Sequence, residues 1–104
     1  MSKPPVVLRP EALSDLQNAM AWYESQLPGL GAVFLGRVEE RMRVIAESPN
    51  VFPAVLESIR RAPVRRFPYG IYFEAAADRI VILAVFHFKR SPDLLKDRAQ
   101  GTQR

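Results

Sequence analysis

The sequence predicts an α+β domain: an N-terminal strand, an antiparallel helical hairpin, and a three-stranded antiparallel meander with the helices on one face of the sheet. Three observations carry this. Two helix-period apolar stripes fall on either side of Pro28-Gly29. The stretch from Arg60 to Arg90 then switches to strand-like patterning with two turn signals. Its final part, Ile80 to Phe86, is apolar at every position, the mark of a strand buried on both sides.

Each element has its own justification. Val6-Val7-Leu8 follows a Pro-Pro start and reads as a short strand. Pro10 suits the first turn of a helix, where its missing N–H costs nothing. Glu11 and Asp15 sit near the positive end of that helix's dipole. Leu13, Leu16, Met20, Tyr23 and Leu27 then recur at spacings of three and four, until Pro28-Gly29 breaks the run. The second helix is expected from Leu30 to Ser48, with Phe34, Val38, Met42 and Ile45 buried and Ser48-Pro49-Asn50 ending it. Gly36 in its interior costs about 1 kcal/mol relative to alanine, which close approach to the first helix would compensate. The segment from there to Glu57 reads as a loop.

Strands are expected over residues 58–67, 70–75 and 79–88, joined by Pro68-Tyr69-Gly70 and Ala76-Ala77-Asp78. Pro63 cannot donate to a ladder, which places the first of these at an edge or a bulge. One helical hairpin covers one face of such a sheet, so the other face is expected to need a partner protein. Residues 91–104 read as a short helical turn and a tail. The whole chain, 1–104, is taken as one domain, with 1–4 and 98–104 expected to fray.

Composition narrows the chemistry. There are no cysteines and one histidine, His87, so thiolate chemistry is excluded and neither a metal site nor a cofactor is expected. The longest apolar run is too short to cross a bilayer, and Met1 to Pro5 holds no apolar signal core. A cytoplasmic protein without membrane association is expected. The formal charge of +4 is unevenly spread. Residues 1–57 carry five Lys/Arg against seven Asp/Glu; residues 58–104 carry ten against four. Arg60, Arg61, Arg65 and Arg66 enter the meander and His87, Lys89 and Arg90 leave it, a grouping that suits an anionic partner. Arg61, Arg65, Lys89 and Arg90 are the candidate target-binding residues. Arg65 and Arg66 are expected on opposite faces of their strand, and His87 on one face with Val81, Leu83 and Val85, capping the end of a core strand. Trp22, Leu35 and Val44 fall off the helical stripes. With Tyr23 they are the candidate residues for binding a neutralising partner.

The ordered set Ala21-Trp22-Tyr23-Glu24, Val64-Arg65-Arg66-Phe67-Pro68-Tyr69-Gly70-Ile71-Tyr72 and Ile82-Leu83-Ala84-Val85-Phe86-His87 resembles the RelE/ParE superfamily of bacterial toxins. RRFPYGIYFE and VFHFKRSPD are closer to its ParE branch. The resemblance implies the toxin half of a type II toxin–antitoxin pair, of the kind that stabilises plasmids. It implies a protein that binds a cellular target, DNA gyrase, without catalysis of its own. It also implies a cognate ribbon-helix-helix antitoxin whose C-terminal tail wraps the toxin, with DNA contacted only through that antitoxin. The runner-up is a ribosome-dependent mRNA endoribonuclease of the RelE type, in which Arg65, His87 and Arg90 would be the catalytic set. Nuclease members use a tyrosine near the C-terminus; here the last tyrosine is Tyr72. A plain nucleic-acid-binding module is a third reading, without an evident recognition helix or stacking platform.

Overall fold

The computed structural model describes residues 3–101. In chain order it forms β1 (Val6–Leu8), α1 (Pro10–Gln26), α2 (Leu30–Glu47), a 3-10 turn (Pro49–Val51), β2 (Ala54–Leu56), β3 (Ile59–Pro63), β4 (Tyr69–Ala75), β5 (Ile80–His87) and α3 (Pro92–Gly101). The strands make one sheet in the order β1-β5-β4-β3-β2, with β1 parallel to β5 and the other neighbours antiparallel. The meander thus holds four strands. β2 forms from what reads in sequence as a loop, and it covers β3. Pro63 is tolerated because it is the last residue of β3, not because β3 is an edge.

The hairpin α1–α2 packs on one face. Its core joins Ala12, Leu16 and Ala19 of α1 and Phe34, Val38 and Ile45 of α2 to Ile71, Phe73, Ile80, Ile82 and Val85 of the sheet. The stripe on α1 is rotated from its expected position. Small Ala12 and Ala19 are buried while Leu13 and Leu27 stay exposed, because alanines let the helix lie close to the sheet. The glycine that the hairpin requires is Gly31, not Gly36. A Cβ on Gly31 would stand 2.8 Å from the Met20 carbonyl oxygen and 3.1 Å from a Glu24 carboxylate oxygen, whereas at Gly36 it would meet nothing within 4 Å. Glu24 explains the tight turn: its two oxygens accept the N–H groups of Gly29 (2.9 Å) and Gly31 (3.0 Å), capping α2. Gly29 supplies the left-handed φ of 93° that the turn needs.

The opposite face is covered by the chain itself. α3 spans ten residues and buries Leu95 against Ile59, Tyr72, Leu83, Ala84 and Phe86. Helices therefore lie on both faces, and the expectation that a partner must supply the second cover is corrected. Of the ends expected to fray, Arg98 sits in α3 with three side-chain hydrogen bonds, while residues 1, 2 and 102–104 lie outside the described residues.

A bulge in β5 has a functional consequence. Tyr72 opposes Ala84 but Phe73 opposes Ile82, so Leu83 is the extra residue. The alternation of side chains is re-phased there. Ile80, Ile82 and Val85 face the hairpin, whereas Leu83, Ala84 and Phe86 face α3. His87 consequently shares its face with Val85 but not with Val81 or Leu83.

Candidate functional site

The re-phased end of β5, the start of β4 and the middle of α1 converge on the hairpin side. There Tyr69 packs edge-on against His87 with ring centroids 5.2 Å apart. Tyr23 meets Tyr69 at 5.9 Å, Phe67 at 4.9 Å, Trp22 at 5.1 Å and, stacked, Phe34 at 5.2 Å. The β3–β4 turn supplies Phe67 and Pro68; Arg66 turns the chain with a φ of 72°. Two shallow hollows share Trp22, Tyr69 and His87, one of them bordered also by Asn18 and Arg90, the other by Tyr23 and Pro68. Trp22 is 57% exposed, so its indole forms an open wall.

The hydrogen-bonding state of this cluster decides what it can do. Nδ1 of His87 accepts the backbone N–H of Lys89 at 3.0 Å. The neutral ring then carries its proton on Nε2, and the nitrogen left over is a donor rather than a base. Burial pushes the Tyr69 hydroxyl above its ordinary 10.0, with the Arg90 charge pulling the other way. Tyr23 is raised as well, by burial first and by its neighbour Tyr69 second. Both phenols stay protonated near neutrality. Tyrosine, imidazole and guanidinium thus all present donors. The arrangement binds anions and carbonyls well and abstracts protons poorly.

Arg90 also borders a second hollow, on the α3 side, where Arg61 joins it. The Arg90 guanidinium carbon lies 4.9 Å from the centre of the Phe86 ring, and that of Arg61 lies 5.3 Å from the centre of the Phe88 ring. The hollow they line is about 240 Å³. Of the four candidate target-binding residues, then, two are brought together. Arg65 lies in the β3–β4 turn with Arg66, both exposed, so the picture of two opposite strand faces does not apply to them. Lys89 is exposed just past β5. Of the four candidate partner-binding residues, Trp22 and Tyr23 share a hollow. Leu35 packs against the core, and Val44 is 38% exposed elsewhere on α2.

The ParE toxin family of type II toxin–antitoxin systems (parDE) matches residues 6–92. The chain belongs to that family. Its fold is also similar to a solved chain from the chromosomal ParDE toxin–antitoxin system of P. aeruginosa. The TM-score is 0.73 at 17% identity, over 82% of this chain and 96% of that one. Comparison with curated proteins finds no significant match. The match covers β1 through the first residue of α3, and so takes in both Trp22 hollows of this ParE-family toxin and all of the α3-side hollow but Leu95.

Two residues that hold the site together escaped the sequence reading. Asp15 accepts the Val85 N–H at 3.0 Å, and Arg98 clasps Asp15 while donating to the Leu83 carbonyl at 2.8 Å. Both act on β5 beyond the end of β1, where its edge has no strand partner. Among the described residues no group of acidic, histidine or cysteine side chains could hold a metal ion, and no helix is long and apolar enough to cross a membrane.

Proposed function

We propose that this ParE-family toxin acts in the cytoplasm by binding DNA gyrase, and that a cognate antitoxin neutralises it by covering its exposed side chains. The observation that carries the reading is the His87 cluster. A histidine whose Nδ1 is engaged by a backbone amide, beside two protonated tyrosines and an arginine, is a recognition surface built of donors. Such a surface suits a protein inhibitor better than a nuclease. Arg61, Arg65, Lys89 and Arg90 would meet the target, and Trp22 with Tyr23 the antitoxin, whose tail folds on contact. Trp22 has the character of an interface anchor: large, aromatic and half open to solvent. Purified protein added to gyrase and relaxed plasmid tests the proposal. Inhibition supports it, and undiminished supercoiling by a preparation that binds its antitoxin refutes it.

One observation favours the ribonuclease reading enough to state it. Tyr69 supplies from β4 the tyrosine beside a histidine and an arginine that the C-terminus lacks. In that reading Tyr69 would donate the proton to the leaving oxygen and Arg90 would hold the phosphate. A base for the 2′-hydroxyl requires that His87 release Lys89. Transcripts cut within translated reading frames after induction, and left intact with Arg90→Ala, would establish it.

A further inference from the structure

We propose that a hollow beside the last turn of α3 binds a small zwitterion, a molecule with an ammonium and an acid group at the two ends of a short apolar chain. The hollow shares no residue with the surfaces assigned above to target and antitoxin, so the proposal stands independently of that reading.

The hollow is about 310 Å³ and lies by the start of β5, at the other end of that strand from His87. Ile59 and Val81, which pack on the α3 side of the sheet, give it an apolar floor. Sheet order sorts the charges around that floor. Arg9 follows β1 and Arg79 precedes β5, so both cations stand on one side. Glu74 lies in β4 and Glu57 in the turn joining β2 to β3, so both carboxylates stand on the other. Opposite charges around one hollow ordinarily close on each other. Among the described residues, none of the four possible pairs forms.

The groups on both sides have bonding capacity that the chain does not use. Nε of Arg9 is buried and has no hydrogen-bond partner; the Glu11 carboxylate oxygen is 4.0 Å away, beyond bonding distance. A buried donor of a charged group is costly to leave unpaired, and an acid group in the hollow would satisfy it. Opposite, Ser58 donates its hydroxyl to Oε2 of Glu74 at 2.7 Å, which fixes that carboxylate and leaves Oε1 open among the described residues. Leu56 pairs with Ile59, so Glu57 and Ser58 form a two-residue turn. Glu57 holds a φ of 51° there, where asparagine or glycine is the ordinary occupant.

Neighbouring strands lie about 4.8 Å apart, so the two signs are separated by roughly one to three such spacings. A molecule of that length lays its acid group on Arg9 and Arg79, its ammonium on Glu57 and Glu74, and its apolar middle on Ile59 and Val81. A polyanion would meet the carboxylates and a polycation the guanidiniums, so the lining selects molecules that carry both signs.

The test uses the full-length chain labelled with nitrogen-15, at low salt, with 6-aminohexanoate as the probe. Amide shifts on titration should saturate and concentrate at Ser58, Glu74, Ala76 and Arg79. Hexanoate and hexylamine each keep one charge and should bind at least about fivefold more weakly, as expected for loss of a charge-assisted contact. Arg79→Gln and Glu74→Gln should weaken the probe by about as much. Glu57→Gly removes a carboxylate and puts glycine at the left-handed position, so it should melt no lower than the parent while binding about threefold more weakly. That variant keeps the test decisive should another fail to fold. Equal affinity for hexanoate or hexylamine, shifts confined to the His87 end of the sheet, full binding by all three variants, or no saturable shift would overturn the proposal.

Discussion

Arg98 and Asp15, 83 residues apart in sequence, meet in a two-pronged pair: Nη1 lies 2.9 Å from Oδ2 and Nη2 3.3 Å from Oδ1. Their side chains are 18% and 11% exposed. The pair joins α3 to α1 across β5, because Asp15 also accepts the Val85 N–H and Arg98 also donates to the Leu83 carbonyl. β1 pairs with β5 only as far as Ile82. Beyond it, these two side chains take the place of the missing strand, satisfying the bulged backbone that turns His87 toward the helical hairpin.

Breaking this pair should be costly. Asp15→Ala leaves a mostly buried guanidinium without its carboxylate and a backbone N–H without an acceptor, for a loss of about 3–5 kcal/mol. Arg98→Ala should cost less, since Asp15 keeps the Val85 amide. Urea unfolding of the two single variants and the double variant should give a coupling energy of about 1–3 kcal/mol.

The two glycines of α2 should respond in opposite directions. Gly31→Ala forces a methyl group against the Met20 carbonyl and should destabilise the protein by about 1–3 kcal/mol. Gly36→Ala fills open space in the interior of α2 and should stabilise by about 0.5–1 kcal/mol through helix propensity. Thermal melts of both variants check the pair.

Stability should fall in alkali. Tyr23 and Tyr69 have folded-state values above the ordinary 10.0, so between that value and their own the folded protein binds more protons than the unfolded chain. Their contribution is intact below about pH 10 and is lost as the pH rises through their folded-state values. Tyr23→Phe and Tyr69→Phe should each flatten the decline in urea midpoint measured above about pH 10.

Trp22→Ala should separate folding from recognition. The indole is 57% exposed, and its removal should change stability by no more than about 0.5 kcal/mol. Antitoxin affinity, read by calorimetry, should drop at least about tenfold if the indole is an anchor of that interface.

Much of this architecture is legible in the residues. Pro10 and Pro28-Gly29 mark the limits of α1, and Phe34, Val38 and Ile45 give the buried face of α2. The apolar run from Ile80 gives β5, which is buried on both faces as expected. Three features were hidden for physical reasons. The bulge at Leu83 leaves no trace in a segment that is apolar at every position, because no polar residue marks its face. β2 is three residues long and draws its order from β3 rather than from its own pattern. The Asp15–Arg98 pair depends on the sheet bringing α1 and α3 together, which no local spacing encodes. α3 is different, since its signal was present. Ser91 accepts the Asp93 N–H on its hydroxyl at 3.2 Å, Pro92 opens the helix and Asp93 sits in the first turn. That Ser-Pro-Asp start is a helix signature outweighed in the sequence by the charged residues that follow.

The central claim is that the toxin binds and inhibits gyrase without cutting RNA, and a supercoiling titration tests it most directly. Purified protein, confirmed as folded and able to bind its antitoxin, is added to gyrase with relaxed plasmid. The expected result is loss of supercoiling at micromolar protein, relieved by antitoxin and weakened when Arg61 and Arg90 are both changed to glutamine. Full supercoiling at every concentration would contradict the account, all the more if the same preparation cleaves messenger RNA on translating ribosomes.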